Sequence, residues 1–175
     1  NVHFLAMVYG YQGRYRDAVR ASRELLDATR APEEQKSRAA LEGRFSMLRA
    51  LVRFEKYDEI LDGKSLPDEG EFEVLKAWRY YAAGLAKIGM GHLGAARAQL
   101  KSLERETSRM KEKFDKAKDI TQAGRQRQQL RALAVAPFEL QARILAREGK
   151  ADEAIAKLRE GVEEEIKLGY SEPPF

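Results

Sequence analysis

A chain of 175 residues that is 43% hydrophobic and 34% charged, with five prolines, has the composition of a helix-rich globular protein able to bury roughly 70% of its unfolded surface. It has no cysteine, which excludes disulfides and thiolate metal sites, and no apolar run near the roughly 20 residues that span a bilayer. Its formal charge of +4 is local: residues 104 to 131 carry nine Lys/Arg against five Asp/Glu and hold the whole excess.

In chain order, one helical scheme recurs. In the first unit, residues 1 to 30, the stretch QGRYRDAVRASRELL at 12–26 places Gly13 at a turn, Tyr15 beneath it and the small Ala18 where two helices touch, with Leu25 and Leu26 closing the pair. Pro32 followed by Glu33 and Glu34 predicts the helix start of the second unit, residues 32 to 63. There FEKYDEIL at 54–61 keeps a tyrosine, Tyr57, and has Ile60 at the contact; GKSLPDEG at 63–70 is a break.

The third unit, residues 71 to 121, is the clearest. Val74, Ala77, Trp78, Tyr81, Ala82, Leu85 and Ile88 recur every three or four residues, the period of one helix face. Gly84 is the small residue of this helix, Gly91 the turn, Ala96 the contact and Leu100 the anchor. From Leu93 through Leu103, Met110, Phe114 and Thr121 the same spacing predicts one long helix reaching toward Gly124. It returns along Leu130, Leu133, Phe138 and Leu140 as a helical hairpin. The alternative is that residues 104 to 131 form a solvated linker.

The fourth unit, residues 126 to 169, has Pro137 at a helix head, then Ala142, Gly149, Ala154, Leu158 and Gly161, with its last helix ending at Gly169. The contact positions 18, 60, 96 and 154 lie 42, 36 and 58 residues apart, so the repetition is irregular, with one large insertion. The fold class expected is all-α. Asn1 opens inside an apolar helical pattern and the sequence stops at Pro173-Pro174-Phe175, so a fragment of a longer protein with flanking repeats is expected.

Motifs that suggest chemistry dissolve on inspection. GMGHLG at 89–94 is a literal G-x-G-x-x-G, but a dinucleotide site needs a strand before it, and here a helix precedes it. His3 and His92 are far apart and lack carboxylates at metal-ligand spacing. Adjacent helical residues point about 100° apart, so Glu163, Glu164 and Glu165 do not converge on a cation. No enzyme, metal or cofactor is expected within this stretch. A nucleic-acid reading would rest on Arg105, Arg109, Lys113, Arg125 and Arg127, but acids are interleaved and Phe114 is the segment's one aromatic for stacking.

The turn and contact residues quoted above resemble tetratricopeptide repeats. NVHFL at the start, RFEKYDEIL, AWRYYAAGLAKIGMGHLGAARAQL and YSEPP at the end are similar to one group of bacterial tetratricopeptide proteins. The resemblance implies a superhelix of about four antiparallel helix pairs, whose first helices line a concave face that grips a peptide or partner helix. It implies that His3, Met7, Phe45, Arg49, Trp78, Tyr81, Leu85, Glu139 and Arg143 face that groove. For Trp78 and Tyr81, packing between neighbouring units is an equal alternative. The function implied is a non-catalytic scaffold that binds a protein or peptide. A helical accessory region of a larger enzyme is a second reading, and a nucleic-acid or anionic-surface binder a third. The compartment stays open, with the cytoplasm slightly favoured for a soluble chain.

Overall fold

A computed structural model of the chain describes residues 2–66, 72–116 and 130–168. Its helices are α1 (Val2–Tyr11), α2 (Tyr15–Ala28), a 3-10 turn (Pro32–Glu34), α3 (Arg38–Arg53), α4 (Tyr57–Leu61), α5 (Glu73–Gly89), α6 (Leu93–Asp115), α7 (Ala136–Arg147) and α8 (Ala151–Leu168). No strand occurs among the described residues, and no helix among them is long and apolar enough to cross a membrane. The protein is all-helical.

Four of the connections are the same turn. Gly13, Glu55, Gly91 and Gly149 have φ of 75°, 53°, 79° and 79°, the left-handed region that ends helices. In each turn the following residue (Arg14, Lys56, His92 or Lys150) donates its N–H to the carbonyl five residues back, on Tyr9, Leu51, Lys87 and Leu145. The left-handed residue itself donates to the carbonyl three back, on Gly10, Val52, Ile88 and Ala146. These two bonds satisfy carbonyls that a helix end leaves open. Five residues past each left-handed position stand Ala18, Ile60, Ala96 and Ala154, all buried. The predicted contact positions therefore share one register. Three turns use glycine; the second uses Glu55, which pays about 1 kcal/mol for its conformation relative to a residue without a Cβ.

The predicted helix start at Pro32 is corrected. Pro32 opens only a 3-10 turn, with Ala31 extended before it, and the helix proper begins at Arg38. Ser37 decides this. Its Oγ accepts the Ala40 N–H at 3.1 Å, a cap whose loss typically costs about 1 kcal/mol. Pro137 lies in the first turn of α7, as its fixed φ favours.

The helices pack in three ways. Each odd helix lies on the even helix that follows it, each of α2, α4 and α6 lies on the next odd helix, and α1, α3, α5 and α7 touch in succession. Two hydrophobic clusters result. Ala18, Met47, Leu48, Leu51, Ile60, Ala82 and Ala86 form the first. Val74, Ala77, Leu85, Ile88, Leu103, Met110, Leu133, Leu140 and Ile144 form the second. α5 belongs to both, so its apolar residues do not share one face: Ala82, at the edge of the predicted stripe, turns with Ala86 into the first cluster while Val74, Ala77, Leu85 and Ile88 enter the second. A helix apolar on two sides is a buried one.

α6 runs for 23 residues, with Ala96, Leu103 and Met110 fully buried along its stripe. Glu106 on the same helix is 5% exposed and bonded to Arg109 at 2.5 Å. Arg109 and Lys113 both reach Glu73 in the first turn of α5, at 3.2 and 2.6 Å. The predicted hairpin tip near Gly124 lies outside the described residues. Leu130 and Leu133 do pack into the second cluster.

The glycines of 89–94 have three different environments. A Cβ on Gly89 would stand 2.1 Å from the Tyr57 ring, one on Gly91 would meet no atom but a left-handed backbone, and one on Gly94, inside α6, would meet nothing. Urea unfolding should therefore show Gly89→Ala losing about 1–3 kcal/mol, Gly91→Ala losing about 1 kcal/mol, and Gly94→Ala gaining up to about 1 kcal/mol. Equal effects at the three positions would contradict this structural reading of the motif.

Candidate functional site

The successive contacts of α1, α3, α5 and α7 bring most of the residues that the resemblance singled out into one strip. On α1, the His3 ring stacks on Phe4 at 4.1 Å. Burial holds its pKa below the ordinary histidine value, with Glu42 opposing and Arg49 and Arg38 assisting. On α3, Arg49 lies over the Phe45 ring at 5.8 Å and reaches Glu42 at 3.4 Å. Phe45 meets Trp78 of α5 edge to face at 6.0 Å, and Trp78 meets Tyr81 in the same way at 5.7 Å. Such pairs contribute about 0.5–1.5 kcal/mol beyond their buried area. The Tyr81 hydroxyl donates to Glu139 of α7, whose other oxygen accepts from Arg143 Nε at 2.8 Å.

Trp78 and Tyr81 are half-buried and pack against the core. Trp78 touches both clusters, and its Nε1 is buried without an acceptor. Burial, and after it the Glu139 carboxylate, push the Tyr81 phenol well above its ordinary pKa. Packing between units and a place on the strip thus coexist in these two rings. Leu85, 9% exposed, belongs to the second cluster and also lines the floor of the cleft that Tyr81 borders. Met7 is half-buried on α1. Arg143 is exposed.

The strip ends in a cleft of about 610 Å³ among α3, α4, α5 and α7, whose polar lining includes Arg53, Tyr57, Tyr81, Glu139, Arg143 and Arg147. Arg53 is committed: its Nε donates to the Gly10 carbonyl at 3.0 Å and its guanidinium covers Tyr11 at 4.4 Å. Arg147 has no ion pair or side-chain hydrogen bond to a described residue. Neither arginine was singled out from the sequence, yet helical spacing could have found both. Phe45, Arg49 and Arg53 on α3, and Glu139, Arg143 and Arg147 on α7, are each four residues apart and so share a face.

Elsewhere, a shallower hollow of about 500 Å³ runs along α2, where the Tyr15 hydroxyl bonds Glu59 at 2.8 Å. His92 is an exposed turn residue. Among the described residues, no three His, Asp or Glu side chains stand together as metal ligands. Of the cations considered for phosphate contact, Arg109 and Lys113 are engaged with Glu73, Arg105 is exposed, and Arg125 and Arg127 lie outside the described residues. The strip offers aromatic edges, a half-buried tyrosine–carboxylate pair joined to the exposed Arg143 guanidinium and, among the described residues, the Arg147 guanidinium without an ion pair.

Removing Glu139 leaves the half-buried Tyr81 phenol without its acceptor. Glu139→Ala should cost about 1–3 kcal/mol and Tyr81→Phe about 1 kcal/mol in denaturant unfolding. The double variant should fall short of their sum, as it does for groups in contact; strict additivity would show that the two groups do not interact. Comparison of the chain with protein-family models, curated proteins and solved structures gives no match.

Proposed function

We propose that this chain is a non-catalytic helical-repeat scaffold of the tetratricopeptide type that binds another protein or a peptide across its odd helices. One observation carries the reading: the polar and aromatic strip passes from α3 through α5 to α7, each step a side-chain contact, and α1 packs against its α3 end. The four turns in common register support a repeated helix pair, with the odd helices lining one side. Aromatic and arginine side chains are the usual anchors of interfaces. Arg147, uncommitted beside Arg143, favours a partner that brings a carboxylate. The pairing of Arg109 and Lys113 with Glu73 weakens the nucleic-acid reading, since those cations already have partners.

Trp78 is the chain's single tryptophan and lies in the middle of the strip, so its fluorescence reports occupancy. Peptides selected from a displayed library against the purified chain should change that emission on binding. Arg143→Ala and Arg147→Ala should each weaken them about tenfold, roughly 1.4 kcal/mol. Selected peptides that bind all strip variants as tightly as the parent chain would overturn the proposal.

A further inference from the structure

The cleft at the end of the strip is built where three helices stop, and its charges do not balance. Arg53 stands in the last turn of α3 and Arg147 in the last turn of α7, and Gly89 ends α5. A cation at a helix end ordinarily answers the open carbonyls and the negative pole there. Here the turns already serve those carbonyls: Leu51 and Val52 accept from Lys56 and Glu55, and Leu145 and Ala146 accept from Lys150 and Gly149. Among the described residues neither guanidinium has a carboxylate partner. Arg53 is held by the Gly10 carbonyl and the Tyr11 ring, both uncharged, and Arg147 is in no ion pair. The lining sets three arginines against Glu55 and Glu139, one positive charge in excess. Both oxygens of Glu139 are already taken, by Tyr81 and Arg143.

The surface beneath this excess is apolar and held in place. Leu85 and Ile88 form the floor, and both belong to the second cluster. The Tyr57 ring is seated over Gly89 so closely that the α5 backbone positions it. Its phenol lies in the field of Arg143 and Arg147, which oppose the upward push that burial and Glu55 give its pKa. Tyr81 is braced by Trp78 and Glu139. A cleft of about 610 Å³ with an apolar floor and a few placed charges has the make-up of a small-molecule site, whose usual size is about 300–1,000 Å³. We propose that it binds a free organic monoanion with a ring-sized apolar body. The ring lies on Leu85 and Ile88 beside Tyr57, and the acid group pairs with Arg147. One negative charge cancels the excess, and a guanidinium without another ion pair offers two parallel N–H donors to a carboxylate or sulfonate. Binding of this acid does not depend on the scaffold reading, since it needs the cleft alone and not the strip from Phe45 to Trp78.

Anilinonaphthalene sulfonate, a fluorescent monoanion of this shape, is the probe. Titrated into the folded chain, its emission should saturate at one tight site per chain. Arg147→Gln should weaken that site about tenfold, and Arg147→Lys, which keeps the charge but not the paired donors, should weaken it less. Both variants should keep the parent's circular dichroism, because Arg147 is exposed. Phenylnaphthylamine, the same rings without the sulfonate, should bind the parent and Arg147→Gln equally. Ile166→Glu, on an exposed apolar face of α8, should leave the tight site unchanged. Naphthoate should displace the dye at lower concentration than a capped peptide carrying one glutamate beside a phenylalanine. The proposal is overturned by emission that does not saturate, or by a dye affinity that Arg147→Gln leaves intact. Loss of the site in Ile166→Glu also overturns it, since the dye then sits on α8. So does a peptide that displaces the dye as well as naphthoate or better, which assigns the cleft to an acidic side chain of a partner.

Discussion

Everything in the architecture follows from how a helix is made to stop and reverse. A residue in the left-handed region lets the next amide reach back five residues and the residue's own amide reach back three, and the chain leaves in a new direction with those carbonyls satisfied. Because this geometry is the same at Gly13, Glu55, Gly91 and Gly149, the buried side chain five residues later falls at the same height each time. Ala18, Ala96 and Ala154 let the helices approach closely there. Ile60 fills more space, and the helix it stands on, α4, has only five residues. Tyr57 at the head of that helix lies over Gly89, which has no Cβ to obstruct it.

The strip depends on this reversal. Returning each even helix to one side leaves α1, α3, α5 and α7 in successive contact, so residues far apart in sequence meet: Phe45 edge to face with Trp78, and the Tyr81 hydroxyl with Glu139. α5 is the pivot, since it contributes to both hydrophobic clusters and carries the two central aromatics. Its rings are held by packing on one side and bounded by charged groups on the other. A surface so braced loses little freedom when a partner arrives, which favours recognition on the proposed reading.

The sequence was most legible where the chemistry is confined to one residue type. Gly13, Gly91 and Gly149 announced their turns because left-handed backbone favours glycine, and the stripe from Leu93 to Met110 announced a long helix because its period is sustained. Glu55 gave no such signal: nothing in a glutamate predicts positive φ, and only its register with the other turns reveals it. Pro32 misled because a proline marks a possible helix start, whereas the Ser37 hydroxyl, bonded to Ala40, determines the real one. Glu106 was hidden because burial of a charge depends on Arg109 and Lys76, and the latter comes from another helix. Of the strip, the individual residues were legible through the family resemblance. Their order of contact and the floor position of Leu85 needed the packing of α5, and Arg53 and Arg147 lay one further helical turn along faces already chosen.

The common register of the four turns is the claim on which the strip and the repeat reading both rest. Native-state amide hydrogen exchange measures it residue by residue. The amides of Arg14, Lys56, His92 and Lys150, bonded across the turns, and those of Ala18, Ile60, Ala96 and Ala154, bonded back to them, should be protected in all four units. Free exchange at Lys56 and Ile60, with protection at the other three turns, would show that the second unit does not close as a helix pair and would contradict the account.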